Sequence, residues 1–234
     1  AATTGLTDAS TMRIAVRRPE LAGFLQPLGG VGQITAVQAN LRFPDSLLAP
    51  AKGADAVINL VGILCPSGKQ TFKAVQDEGA RHVAEAARAA GASAFVHMSA
   101  IGADANSPSI YARTKAAGEA AVKEVFPEVV ILRPSVVFGP EDEFFNRFAA
   151  LAQLSPALPL IGGGKTKFQP VFCGDVAKAV MASLTGKAKA DAVYELGGPE
   201  ILTMKEVMER VLAYTMRKRW LVPLAVFMCV FGLI

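Results

Sequence analysis

Histidine, cysteine and tryptophan are scarce here: two, three and one among 234 residues. Cys65, Cys173 and Cys229 show no CxxC spacing and no histidine pair stands near them, so a zinc centre is excluded and no metal is expected. They read as buried thiols of a reducing compartment. A dominant charge is missing too. The formal net charge is +4, and the basic residues are scattered rather than interleaved with aromatics, which argues against a nucleic-acid surface. Ala1 to Thr11 is small and polar, without the basic start and apolar run of a secretory signal. The longest apolar stretch, Trp220 to Ile234, falls short of the ~20 residues a membrane-crossing helix needs, and Pro223 interrupts it. With Arg217, Lys218 and Arg219 before it, this tail is expected to be a peripheral membrane-surface or partner-docking segment, or a helix packed on the domain.

What is abundant is alanine and valine, spread evenly within a 52% hydrophobic chain. That pattern suits a parallel sheet covered by alanine-rich helices. Strand and helix signals alternate. Met12–Val16, Gly32–Val37, Ala54–Val61, Ala94–Ser99, Val129–Val137 and Val193–Leu196 read as strands, and Pro19–Leu25, Phe72–Ala90 and Ile110–Val125 as helices. Proline- and glycine-rich stretches at Ser155–Pro159 and Ile161–Gly164 break the rhythm, as a substrate-side excursion would. The expected organisation is a Rossmann-like, doubly wound α/β domain over residues 12–150, interleaved C-terminal substrate-side elements over 151–219, and the apolar tail 220–234.

The most specific chemical signal is Tyr111-Ala112-Arg113-Thr114-Lys115, twelve residues after Ser99, which ends an apolar strand. Residues four apart share a helix face, so phenol and ammonium point the same way. A lysine there favours the phenolate, making the tyrosine a proton donor or acceptor for a carbonyl or alcohol oxygen. Ser99 can hydrogen-bond that same oxygen from the carboxyl end of its strand, where open parallel sheets bind ligands. Ser99, Tyr111 and Lys115 are therefore the candidate catalytic residues. His97 reads as a satisfied structural histidine, His82 as a helix residue without a partner, and Glu141-Asp142-Glu143 as a solvated turn.

Other positions trace a dinucleotide from adenine to nicotinamide. Arg17 and Arg18 follow directly on the first strand, where arginine favours a 2′-phosphate over a free hydroxyl, pointing to NADPH rather than NADH. Asn40-Leu41 follows the next strand, where a polar side chain can meet adenine. Val61-Gly62-Ile63 follows a third, where glycine lets backbone approach the cofactor. What is missing is the G-x-G-x-x-G-like turn that should follow a strand before Met12; the segment's sole glycine is Gly5. The chain is thus expected to lack the first strand and its glycine-rich turn, by truncation or by loss. In the strand order 3-2-1-4-5-6 that leaves a gap inside the sheet, each unpaired buried group costing roughly 1 to 3 kcal/mol, and a destabilised fold.

Taken together, Arg13 to Pro19, Asp55 to Gly62, Ser99 to Asp104, Tyr111 to Lys115, Leu132 to Asp142 and Tyr194 to Glu200 strongly resemble the atypical short-chain dehydrogenase/reductase group that contains the nucleotide-binding accessory subunit of respiratory complex I. The resemblance runs from about Met12 to Pro223. It implies a tightly held NADPH and an assembly or structural role at the inner membrane beside other complex I subunits: its cytoplasmic face in a bacterium, the matrix side in a mitochondrion. It further implies that Arg17 meets the 2′-phosphate, Tyr111 and Lys115 the nicotinamide ribose, and Pro134 with Val137 the nicotinamide ring. The alternative is an active NADP-dependent reductase or epimerase acting on a sugar-nucleotide, steroid-like or quinone-type substrate through Tyr111 and Lys115.

Overall fold

A computed structural model describes residues 10–154 and 161–215. They fall into two compact units, one comprising the chain up to Pro134 together with Gly174–Leu196, the other Ser135–Cys173 and the chain from Gly197 onward. Trp220 to Ile234 and the stretch Ser155–Pro159 lie outside the described residues. No helix among the described residues is long and apolar enough to cross a membrane.

The first unit opens with β1 (Met12–Val16), two 3₁₀ turns at Pro19–Leu21 and Gly23–Leu28, β2 (Ile34–Gln38), α1 (Asp45–Ala51) and β3 (Ala56–Asn59). A π-helical turn at Lys73–Asp77 leads into α2 (Glu78–Ala89), then β4 (Ala94–Met98), α3 (Ile110–Val125) and β5 (Val130–Pro134). Strands β3, β4, β5 and a later strand, Val193–Leu196, form one wholly parallel sheet, with Asn59 beside His97, His97 beside Ile131 and Ile131 beside Val193. Parallel pairing demands a crossover on one face or the other, and both faces are filled. Phe95, Ile131 and Val129 pack under Ala80, Ala84 and Ala87 of α2 and Val122 with Phe126 at the end of α3. Val96, Val130 and Leu132 meet Ala179, Val180 and Leu184 on the other side.

Local chemistry sets the helix ends. Ser109 caps α3 by accepting from Ala112 N–H at 3.5 Å, and Pro127 follows its last turn. After α2 the chain leaves at Gly91 with φ +73°, the left-handed turn that a glycine adopts without strain. The expected helix Phe72–Ala90 is interrupted by the π turn, and Pro19–Leu25 forms 3₁₀ turns because Pro27 and a run of small residues offer no sustained apolar face. Among the described residues β1 pairs in parallel with β2, β3 pairs with β4, and no register joins β1 to β3.

The second unit holds β6 (Val137–Phe138), α4 (Glu143–Leu154), β7 (Lys167–Phe168) and β8 (Val171–Phe172). Next along the chain come α5 (Cys173–Leu184) and β9 (Val193–Leu196), which return to the first unit, then β10 (Leu202–Thr203) and a helix over 204–215. Strands β6 and β8 pair in parallel, β7 and β10 antiparallel. Its core joins Met204, Val207 and Met208 to Phe144, Phe145, Phe148 and Phe168. Asp142 belongs to more than a solvated turn, because its carboxylate accepts from the N–H groups of Phe145 and Asn146 at the start of α4. Thr203 and Glu206 cap the last helix reciprocally, at 2.7 and 3.3 Å. Two of the cysteines expected to be buried, Cys65 and Cys173, are exposed free thiols: each sits in or beside a loop where the sheet's cover ends.

Candidate functional site

The carboxyl ends of β3, β4 and β5 lie side by side, and the loops that leave them carry most of the predicted residues. Lys115 is 5% exposed and gives one N–H to the Met98 carbonyl at 3.2 Å. A Cβ placed on Gly62 would stand 3.2 Å from its Nζ, so the backbone after β3 lies directly against the ammonium. Burial pulls the lysine down to about 8, opposed in part by the Glu119 carboxylate. Tyr111, one turn earlier on α3, stands edge-on to Phe72 at 5.8 Å. Burial raises its pKa, so at neutral pH the phenol is a proton donor.

Ser99 is 4% exposed, and its hydroxyl has no hydrogen-bond partner among the described residues. Its own N–H donates to the Leu132 carbonyl at 2.8 Å, and Ile101 N–H donates to the Pro134 carbonyl at 3.0 Å, tying the exits of β4 and β5. Neighbouring His97 is not fully satisfied, contrary to expectation. Its Nδ1 meets the Asn59 amide at 3.3 Å while Nε2 is buried without a partner, and burial with the nearby Lys115 charge pulls the ring down to about 3. The other histidine is corrected as well: His82 Nδ1 donates to the Leu41 carbonyl at 2.7 Å, pinning the loop after β2 to α2.

Gln76 and Gly118 escaped the sequence reading, while Arg133 lies in the stretch Leu132 to Asp142 that carries the resemblance. Gln76, 2% exposed in the π turn, donates to the Ile63 carbonyl at 2.7 Å and accepts from the Thr114 hydroxyl at 2.8 Å. It thereby fastens the Val61-Gly62-Ile63 loop to the helix turn that carries Lys115, the kind of use π turns often serve. Gly118 lies so close to the Gln76 carbonyl that no side chain fits there. Arg133 grips the largely buried Glu119 through two bonds of 2.9 and 2.7 Å and reaches Glu195 at 3.6 Å, locking β5 to α3 and β9. Gln76 and Gly118 left no signal in the sequence.

The adenine-side residues are less built. Arg17 and Arg18 are exposed at the end of β1 and take part in none of the described ion pairs. Asn40 spends its Oδ1 on Arg42 N–H at 3.2 Å, in a local turn closed by Ser46, which leaves the amide NH2 for a ligand. Leu41 packs on Gly79 of α2. Pro134 is buried at the end of β5, whereas Val137 belongs to the second unit.

The chain matches the model of the NAD dependent epimerase/dehydratase family over residues 6–197. It belongs to that family. Among curated relatives, it is 36% identical over 202 residues to NADH dehydrogenase [ubiquinone] 1 alpha subcomplex subunit 9, mitochondrial, of Arabidopsis thaliana, a match covering 84% of this chain and 49% of that protein. It is 38% identical over 149 residues to a ceramide reductase of Caulobacter vibrioides, covering 64% of this chain and 45% of the other. The chain thus spans about half the length of these relatives. Among solved structures, DesIV, a dTDP-glucose 4,6-dehydratase of Streptomyces venezuelae with NAD bound, superposes with a TM-score of 0.76 over 91% of this chain and 73% of that one, at 21% identity. That likeness bears on the fold alone.

Proposed function

We propose that this chain is an NADPH-binding, dehydrogenase-like accessory subunit of the respiratory complex I type, in which the nucleotide serves structure and assembly. The observation that carries the nucleotide reading is the pairing of a desolvated Lys115 against Gly62 with an unpartnered, buried Ser99 hydroxyl. A charge held by a single carbonyl and a hydroxyl with no partner among the described residues, both kept out of water, cost stability unless something binds them. The resemblance to the Arabidopsis mitochondrial subunit supports the complex I part.

A nicotinamide dinucleotide, when bound, supplies hydride chemistry. The chain's own residues have simpler tasks. Lys115 offers two N–H groups to ribose hydroxyls, and the half-buried Tyr111 phenol donates to an oxygen. Ser99 bonds that oxygen, and Arg17 with Arg18 meets a 2′-phosphate, favouring NADPH over NADH. Partners would be other complex I subunits, at the cytoplasmic face of the bacterial inner membrane or on the matrix side in a mitochondrion, with Trp220–Ile234 as a peripheral membrane contact. A second reading, turnover as an NADP-dependent reductase, is favoured by the retained Ser99, Tyr111 and Lys115 and by the likeness to a ceramide reductase.

The test is co-purifying NADPH, measured by fluorescence and mass spectrometry, in the chain as it stands and in a form with a strand and glycine-rich turn placed ahead of β1. Bound NADPH lost on Lys115→Met supports the site, and its absence from both forms sinks it. NADPH oxidation dependent on an added carbonyl substrate and lost in Tyr111→Phe would replace the subunit reading with the reductase.

A further inference from the structure

The space between β4 and α3 beside Lys115 holds more hydrogen-bond donors than acceptors. Asn59 Oδ1 accepts the Val61 N–H at 3.1 Å, so the other end of that amide is its NH2, and it faces His97 Nδ1 at 3.3 Å. An N–H can meet only a lone pair, so the neutral imidazole carries its proton on Nε2. That Nε2–H is 2% exposed with its ring and has no acceptor. Two residues further along the same strand face the Ser99 hydroxyl is equally unserved. Near the imidazole is Lys115 of α3, whose charge acts on the ring, and one turn further along that helix is Glu119. Both Glu119 oxygens are taken by Arg133, and Lys115 offers only donors. No described side chain supplies the oxygen that Nε2–H requires.

We propose that this space holds one internal water, which accepts from His97 Nε2–H and donates to Ser99 Oγ, and that Asn59 and His97 are positioning residues that fix the serine hydroxyl as a donor toward the ligand. Side chains two residues apart on a strand leave the same face, and a pair of buried polar atoms that the described residues leave without partners is where an internal water is commonly held. Every bond in the series then runs one way. Asn59 donates to His97, His97 to water, water to Ser99, and the serine proton is left to point at whatever oxygen sits beside Tyr111. The tautomer thus decides the polarity of Ser99 from two residues away. The last link rests on the dinucleotide reading above; the first three do not.

Imidazole-labelled protein, followed by 15N NMR from pH 5 to 8, decides the first links: the expected result is the neutral Nε2–H tautomer throughout, with a cross-peak from that proton to water. An Nδ1–H ring, a protonated ring at pH 5, or no water contact overturns the proposal whether or not a nucleotide binds. Asn59→Asp presents only acceptors and should flip the tautomer, reversing the series. NADPH affinity then falls about tenfold in Asn59→Asp and in Ser99→Ala, and the double variant falls no further than either. Additive losses in that double variant would show that Asn59 does not act through Ser99. Failure of the unaltered chain to bind NADPH, with the tautomer as expected, would count against the dinucleotide reading and leave the water site standing.

Discussion

The four-stranded sheet β3-β4-β5-β9 and the two-stranded pair β1-β2 are built from similar apolar segments, yet they end in different states. Every central residue of β4 is buried, and Ile131 and Leu132 of β5 are 0–1% exposed between helices on both faces. Along β1, Arg13 and Ala15 are exposed and Met12, Ile14 and Val16 only half-buried. The difference follows from neighbours rather than composition: a parallel strand is stabilised when helices cover both faces and strands pair on both edges. The candidate chemistry follows the same division. Ser99 and Gly62 follow strands of the covered sheet and Tyr111 and Lys115 lie on α3, which packs on it, whereas Arg17 and Arg18 follow the thin pair.

That contrast can be tested by unequal damage. Truncating Ile131→Ala should cost about 3 to 5 kcal/mol, since a fully buried side chain leaves a cavity, while Ile14→Ala should cost about 1 kcal/mol. Equal shifts in urea midpoint would remove the distinction. Removing Glu119 (Glu119→Ala) strands Arg133 and should lose about 3 kcal/mol by the same assay.

The titratable groups extend the comparison. The folded pKa of His97, about 3, lies below the unfolded value near 6.5, so the unfolded chain takes up the extra proton as pH falls from 6.5 toward 3. Stability should therefore decline across that window by several kcal/mol, and His97→Phe should flatten the decline in thermal melts. For Lys115, a folded pKa near 8 against 10.5 means that the folded state carries a charge it disfavours below pH 8, a cost relieved as pH rises from 8 to 10.5. Lys115→Met should accordingly melt higher at pH 7, by an amount worth about 1 to 3 kcal/mol, while losing NADPH. A lower melting temperature would mean that the ammonium has partners beyond Met98. The smallest effect belongs to the exposed pair: Arg17→Ser should leave stability within about 0.5 kcal/mol yet erode any preference for NADPH over NADH in a binding titration.

Much of the covered sheet was legible in the sequence because its signals are local. The apolar runs gave β3, β4 and β5 to within a residue or three, and α3 was read at its observed bounds. Tyr111 and Lys115 were legible because a four-residue spacing on one helix is itself geometry. Other features were hidden for physical reasons. The short α1 has Pro44 at its start and Pro50 within it, so it reads as a breaker-rich loop. Gln76 finds partners 13 and 38 residues away, and nothing in its own neighbourhood marks a side chain that will bridge a loop and a helix. The unmet Nε2 of His97 was likewise out of reach, since a missing partner is a property of three-dimensional space.

Gln76 has a mechanical consequence. The loop after β3 hangs at one end from a sheet strand and at the other from a side-chain amide bonded to α3, and Gly118 lets that helix lie against the backbone carbonyl of the same glutamine. Such a frame has no slack. Moving that loop would mean breaking the Gln76 bonds to Ile63 and Thr114, so the backbone at Gly62 is expected to keep its place against Lys115 whether or not a ligand is bound.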